Sequence, residues 1–223
     1  MAKVAIEKYK SFEKWKTQEV EMEFLLQRAN SKVDFLTNLV DNPIPLSDEE
    51  KSVADVLQEQ LRMMVEGWNE YDMSILFIGP IFNIIKSQHR AYRTFFNHSL
   101  KATLNNKEIN GRVDGMLAKG WQIPTKPLFF LQEYKSESGP NGDPLGQLLI
   151  EMVTAQALNN EPEQAIYGCY IIGRNWFFVV LKDNKYAVSN VYVATQTAIY
   201  DIVGILKKVQ TMFEQKIKFV AEI

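Results

Sequence analysis

The stretch Gly111-Arg112-Val113-Asp114-Gly115, followed by Pro127-Leu128-Phe129-Phe130-Leu131-Gln132-Glu133-Tyr134-Lys135, sets the strongest constraint on how this chain can fold. It places Asp114, Glu133 and Lys135 on segments that otherwise read as buried strands. An unpaired carboxylate or ammonium taken out of water costs several kcal/mol, so such groups persist at the edge of a core only by binding one another, a metal ion or a ligand. Alternate residues of a strand share a face, which sends Glu133, Lys135 and Glu137 to one side and Phe130, Gln132 and Tyr134 to the other. An acid and a base two positions apart therefore look into one cleft, and the preceding strand adds Asp114.

With 223 residues, 46% of them apolar, the chain has ample material for one core with decoration. Its 25 basic and 27 acidic residues leave a formal charge of −2, so bulk attraction to a nucleic-acid polyanion is not available and any such affinity needs a local patch. Cys169 stands alone and the histidines are His89 and His98, which excludes a disulfide framework and argues against a Cys/His zinc site. The first residues lack an apolar export core, and the apolar run Ile75 to Ile85 is short and interrupted by Gly79-Pro80. The expectation is a cytoplasmic protein with no membrane partner.

Apolar spacing over residues 17–40 predicts one or two amphipathic helices, broken at Asp41-Asn-Pro-Ile-Pro45. Ser47-Asp-Glu-Glu50 is a capping box opening a helix through Leu57 and Leu61. The Ile75–Ile85 segment reads as a short bent helix. From Thr94 the period changes: Phe95–Leu104 and Glu108–Leu117 form a hairpin whose second strand delivers Asp114, and Leu128–Glu137 is a third strand. Asp143 as cap and Pro144 at the first helical position open a helix to about Leu158. Strands over Ile166–Gly173, Trp176–Lys182 and Tyr186–Ser189 follow, then a closing helix from Thr195. The fold class is α/β or α+β: residues 91–223 form a mixed-sheet core flanked by helices, and residues 1–90 are a helical elaboration packed on it or a lobe that grips substrate.

Two acids on adjacent strands suit a hard divalent cation, Mg²⁺ or Mn²⁺, with the Tyr134 carbonyl as a third protein ligand. Lys135, desolvated beside that site, is expected to have a lowered pKa and to orient or deprotonate water. Gln147 lies near the start of the following helix, with Glu151 one turn on and Thr154 beyond it on the same face. The plainer alternative is an ordinary sheet in which Glu133 and Lys135 pair and Asp114 caps a turn. Glu137 reads as solvated or as an auxiliary ligand. Glu66 and Glu70 read as surface acids. Lys86, His89, Arg90 and Arg93 are either a phosphate-contacting patch or a solvated face. Trp121, Trp176, Phe177 and Phe178 could stack on bases, though packing is their commoner use. No G-x-S-x-G elbow, P-loop or G-x-G-x-x-G is present.

The constellation Asp114, then Glu133-x-Lys135, then Gln147 resembles the PD-(D/E)XK nuclease superfamily, over roughly residues 95–190. The runs Trp68-Asn-Glu70, Gly146-Gln-Leu-Leu149 and Tyr167-Gly-Cys-Tyr-Ile-Ile-Gly-Arg-Asn-Trp176 look like a bacterial branch of it. The resemblance implies a restriction-endonuclease-like fold and Mg²⁺- or Mn²⁺-dependent phosphodiester hydrolysis of nucleic acid, DNA more than RNA. In it Asp114, Glu133, Lys135 and Gln147 serve catalysis, Asp114, Glu133 and Tyr134 hold the metal, and a Glu of the helix before the first strand, Glu66 or Glu70 here, sometimes joins the site. A homodimer is left open. The rival expectation is a degenerate site on the same fold, acting as a nucleic-acid- or protein-binding module.

Overall fold

The computed structural model describes residues 7–221, and the side chains of residues 10–218. In chain order the elements are β1 (Glu7–Ser11), a 3-10 turn (Phe12–Lys14), α1 (Thr17–Phe24), β2 (Gln27–Arg28), α2 (Asp34–Val40), α3 (Asp48–Met64), a 3-10 turn (Val65–Gly67) and α4 (Glu70–Met73). A π-helical turn (Ser74–Ile78) then leads into α5 (Gly79–Ile84), β3 (Tyr92–Leu104), β4 (Lys107–Lys119), β5 (Thr125–Lys135) and α6 (Pro144–Asn159). β6 (Ile166–Ile172), β7 (Asn175–Lys182), β8 (Lys185–Val188), β9 (Tyr192–Val193) and α7 (Ala198–Ala221) complete the described chain.

All nine strands of the described residues join one mixed sheet, in the order β1-β4-β5-β6-β7-β8-β2, with β3 on β4 and β9 on β7. The β3–β4 hairpin is longer than its sequence pattern, pairing Tyr92 with Lys119 at one end and Leu104 with Lys107 at the other. The parallel β5–β6 pair is bridged by α6, the helical crossover that parallel strands require. β1 and β2 precede residue 90, where the sequence pattern showed only helices. They pair parallel with β4 and β8, so the N-terminal segment is woven into the sheet as well as packed on it.

Two apolar layers sandwich the sheet. α6 presents Leu148, Leu149, Ile150 and Met152 to one face, together with Phe12, Trp15 and Val20 from the N-terminal segment. The other face is covered by α2, α3, α5 and α7, whose Leu36, Leu61, Ile81 and Phe213 pack with Phe130, Tyr134, Trp176 and Phe178. Burying each such side chain stabilises the fold by roughly 1.5–3 kcal/mol. α6 is apolar nearly all round because it is covered on every side. No helix of the described residues is long and apolar enough to cross a membrane.

The caps fall where the sequence placed them. Ser47 accepts the Glu50 N–H at 3.2 Å while Glu50 accepts the Ser47 N–H at 2.8 Å. Asp143 accepts the Gly146 N–H at 2.9 Å, and its other oxygen takes the Thr17 N–H at 2.7 Å, so one carboxylate caps both α6 and α1. That double cap brings the two helix starts so close that a Cβ at Gly146 would lie 2.5 Å from the Thr17 nitrogen. Any side chain there would force backbone apart, which is why a glycine occupies the first turn of α6.

Candidate active site

A strand has two edges, and β4 uses one of them entirely for β3. On the other edge β1 pairs with Lys107–Asn110 and β5 pairs with Gly115–Lys119, leaving residues 111–114 at the fork between them. β5 in turn runs past the end of this ladder: its last partner on β4 is opposite Gln132, while on the β6 side pairing continues to Lys135. The next N–H of β5 that faces β4, that of Tyr134, is taken by the Asp114 carboxylate at 2.7 Å. The site therefore sits where two strands diverge. Because the N–H and C=O of one residue leave an extended strand on the same side, the Tyr134 carbonyl faces this gap too.

Glu133 and Lys135 project toward α6, and Gln132 and Tyr134 project to the opposite layer, where the Tyr134 hydroxyl donates to Gln132. Gly115 leaves room for that bond, since a Cβ there would come within 2.7 Å of the Tyr134 hydroxyl and 2.8 Å of Gln132 Oε1. Lys135 Nζ lies 2.6 Å from Glu133 Oε1 and 3.6 Å from Glu70 Oε1. Asp114, Glu133, Lys135 and Gln147 line one cleft of about 310 Å³, with Glu13, Glu70, Arg112, Asn141 and Gly142 completing it. Four side chains separated in sequence thus come together from β4, β5 and α6.

Glu151 lies behind this cleft, fully buried one turn along α6 from Gln147. Among the described residues no donor reaches either of its oxygens, and Gln147 Oε1 is likewise buried without a partner. After burial, the Glu133 carboxyl is the group that acts on Glu151 most strongly. Burial first, and then the charges of Glu133 and Asp114, push the Glu151 pKa well above the usual carboxylate range, so Glu151 holds its proton. Burial also pushes Asp114 up to about 6, against the Tyr134 N–H and Lys135. Burial and the Asp114 charge push Glu133 up to about 8, outweighing the lysine beside it. Such a stack of destabilised acids is characteristic of functional sites.

Lys135 departs from expectation. Burial works against its charge, but Glu133, Glu70 and Asp114 together hold its pKa above the ordinary lysine value. It is an ammonium at neutral pH, a donor and not a base. Glu133 and Lys135 both shift upward although they are partners, because burial and then Asp114 raise the acid while the surrounding acids raise the base.

Other candidates are separated by the fold. Glu70 reaches the cleft, whereas Glu66 pairs with Arg174 at 3.3 Å. Glu137 is neither solvated nor at the site: its carboxylate accepts from Arg174 Nε and from the Arg174 backbone N–H, each at 2.8 Å, and clasps the β6–β7 turn. Trp176 and Phe178 are core, Phe177 stacks on Tyr170 at 4.6 Å, and Trp121 is exposed. Arg93 lies over the Phe95 ring and His89 stacks on Tyr92, so part of the basic group is spent on packing.

One feature of β3 escaped the sequence pattern. Its ladder joins Phe96 to Gly115 and His98 to Val113, skipping Asn97 and Asp114 between them. Asn97 has a left-handed backbone, φ 51°, in the middle of a strand. Asn tolerates this better than most residues, and such conformations gather at functional sites. The Asn97 side chain accepts from Arg112 Nη1 at 3.2 Å.

Every potential metal donor in the cleft is an oxygen, the donor type of Mg²⁺, Mn²⁺ and Ca²⁺. Among the described residues no three His, Cys, Asp or Glu side chains are grouped to hold a metal ion. Mg²⁺ ordinarily takes only one or two protein carboxylates, with waters and phosphate oxygens filling the rest. Asp114, Glu133, the Tyr134 carbonyl and the unpartnered Gln147 oxygen fit that demand. No family model matches the chain, and no curated protein matches it significantly.

Proposed function

We propose that the chain is a metal-dependent nuclease of the PD-(D/E)XK type, hydrolysing phosphodiester bonds of nucleic acid, DNA more than RNA, on a restriction-endonuclease-like core. The observation that carries the reading is the convergence of Asp114, Glu133, Lys135 and Gln147 from three elements at the fork where β4 and β5 part. Asp114 and Glu133 would hold Mg²⁺ or Mn²⁺, with the Tyr134 carbonyl beside them. When bound, the cation supplies positive charge for the phosphate oxygens and lowers the pKa of water.

The chain's own residues supply the rest. The Lys135 ammonium, fixed by Glu133 and Glu70, donates to a phosphate oxygen or orients the attacking water. Asp114 is held in place by the Tyr134 N–H. Gln147 offers an amide to water or phosphate from within the first turns of α6, where the helix N-terminus favours anions. The acids also explain why a cation is needed, since a phosphate would otherwise meet Glu13, Glu70, Asp114 and Glu133 with Lys135 and Arg112 alone to offset them.

The rival, a degenerate site serving as a binding module, is favoured by one contact: the 2.6 Å pair with Lys135 occupies the Glu133 oxygen that a metal would use. Calorimetric titration with Mn²⁺ separates the readings. Binding at the site should be weakened by Asp114→Ala and should strengthen as pH rises through about 6 and on through about 8, where Asp114 and then Glu133 lose their protons. Identical titrations for wild type and variant would remove the metal from the proposal.

A further inference from the structure

A second cavity, about 640 Å³, opens beside the acid–lysine cleft and shares Glu70 and Asp114 with it. Its character is different. Tyr71, Ile75 and Phe96 line it, and all three are exposed although large and apolar, at 73%, 51% and 39%. The Phe96 ring is held edge-on against Phe82 at 6.1 Å, so its position is set by packing even though it is exposed. Around these flat and aliphatic surfaces stand three primary amides, Asn83, Gln88 and Asn97. Asn97 is the residue whose left-handed backbone interrupts β3 opposite Asp114. Among the described residues, no lysine or arginine lines the cavity.

A ligand that matches this lining has an aromatic body, a rim of hydrogen-bond donors and acceptors, and no charge of its own at that point. A nucleobase has all three: it stacks on aromatic side chains, and its edge pairs with amides that both donate and accept. Resting on the nuclease reading, we propose that this cavity receives one unstacked base of the strand whose phosphodiester lies at Asp114 and Glu133. The substrate class is then a single strand, or a duplex end or distortion from which a base can leave the stack, because a base inside a regular duplex cannot enter a side pocket.

The test is fluorescence anisotropy with labelled single-stranded DNA and RNA in EDTA, so that no cleavage is required. Tyr71→Ala, on an exposed position outside the acid–lysine cleft, should weaken binding about ten-fold or more, the usual effect of losing one stacking partner. Tyr71→Phe should retain it. An oligonucleotide carrying an abasic position should bind wild type more weakly than its base-bearing counterpart and should be insensitive to Tyr71→Ala. Equal affinity for the two oligonucleotides, an unchanged Tyr71→Ala, or no binding of either would overturn the pocket. So would a nucleoside monophosphate binding as tightly as the strand, which would make the occupant a free nucleotide. Cleavage measured separately with Mn²⁺ tells the two proposals apart: strands cut without any dependence on Tyr71 remove the pocket alone, and base-dependent binding without cutting removes hydrolysis alone.

Discussion

Replacing Lys135 by Met should lower the rate of phosphodiester cleavage by at least ~10²-fold, the usual cost of losing one fixed donor to developing charge, while leaving the fold and the metal affinity in place. The ammonium is the positive group nearest both Glu133 and Glu70, and at 8% exposure it is shielded from solvent. Met keeps most of the apolar stem. Breaking a buried ion pair usually costs 3–5 kcal/mol, because one charge is left uncompensated. Here the cost is smaller: Glu133, pushed up to about 8, is already largely protonated at neutral pH, so removing the ammonium strands little negative charge. Single-turnover cleavage, circular dichroism and Mn²⁺ titration of the variant check the three parts separately. Wild-type cleavage by Lys135→Met would remove the lysine from the chemistry.

Glu151→Gln should stabilise the protein at neutral and alkaline pH and do little under acid conditions. The folded-state pKa of Glu151 is raised above its ordinary value. Its contribution to stability is therefore fully present below the unfolded-state value and is lost as pH rises toward and through the folded one. Over that interval the wild type loses about 1.4 kcal/mol per pH unit for one retained proton. The amide has no proton to lose, so the gap between variant and wild type should widen steadily as pH rises above the ordinary carboxylate range, by up to about 1.4 kcal/mol per pH unit. Thermal melts across that pH range give the answer, and a Tm difference that stays flat with pH would mean that Glu151 is not the strained acid described here.

The parts of this fold visible in the sequence are those governed by local chemistry. Asp143-Pro144 and Ser47-x-x-Glu50 cap helices through contacts within one turn, so both starts were readable. The alternation around Glu133 and Lys135 gave the face they share. Long-range contacts were not readable. β1 carries Glu7, Lys8 and Lys10, with no apolar alternation, and becomes a strand because β4 offers it a free edge. Glu137 continues the alternation of Glu133 and Lys135 on paper, but β5 ends at Lys135 and Arg174 captures the next acid. Glu70 looks like any surface acid until α4 is folded against the end of β5. The charge state of Lys135 depends on acids from β4, β5 and α4 together, and desolvation considered alone gave the wrong sign.

The most direct measurement is cleavage of labelled single-stranded DNA, duplex DNA and RNA by the purified protein with Mg²⁺ or Mn²⁺, beside Asp114→Asn. Asp114→Asn keeps the shape of the side chain that meets the Tyr134 N–H but removes its charge. The account predicts metal-dependent strand cleavage by the wild type that EDTA stops and that falls by about 10²-fold or more in the variant. No cleavage of any of these substrates by the wild type, or equal cleavage by Asp114→Asn, would contradict it.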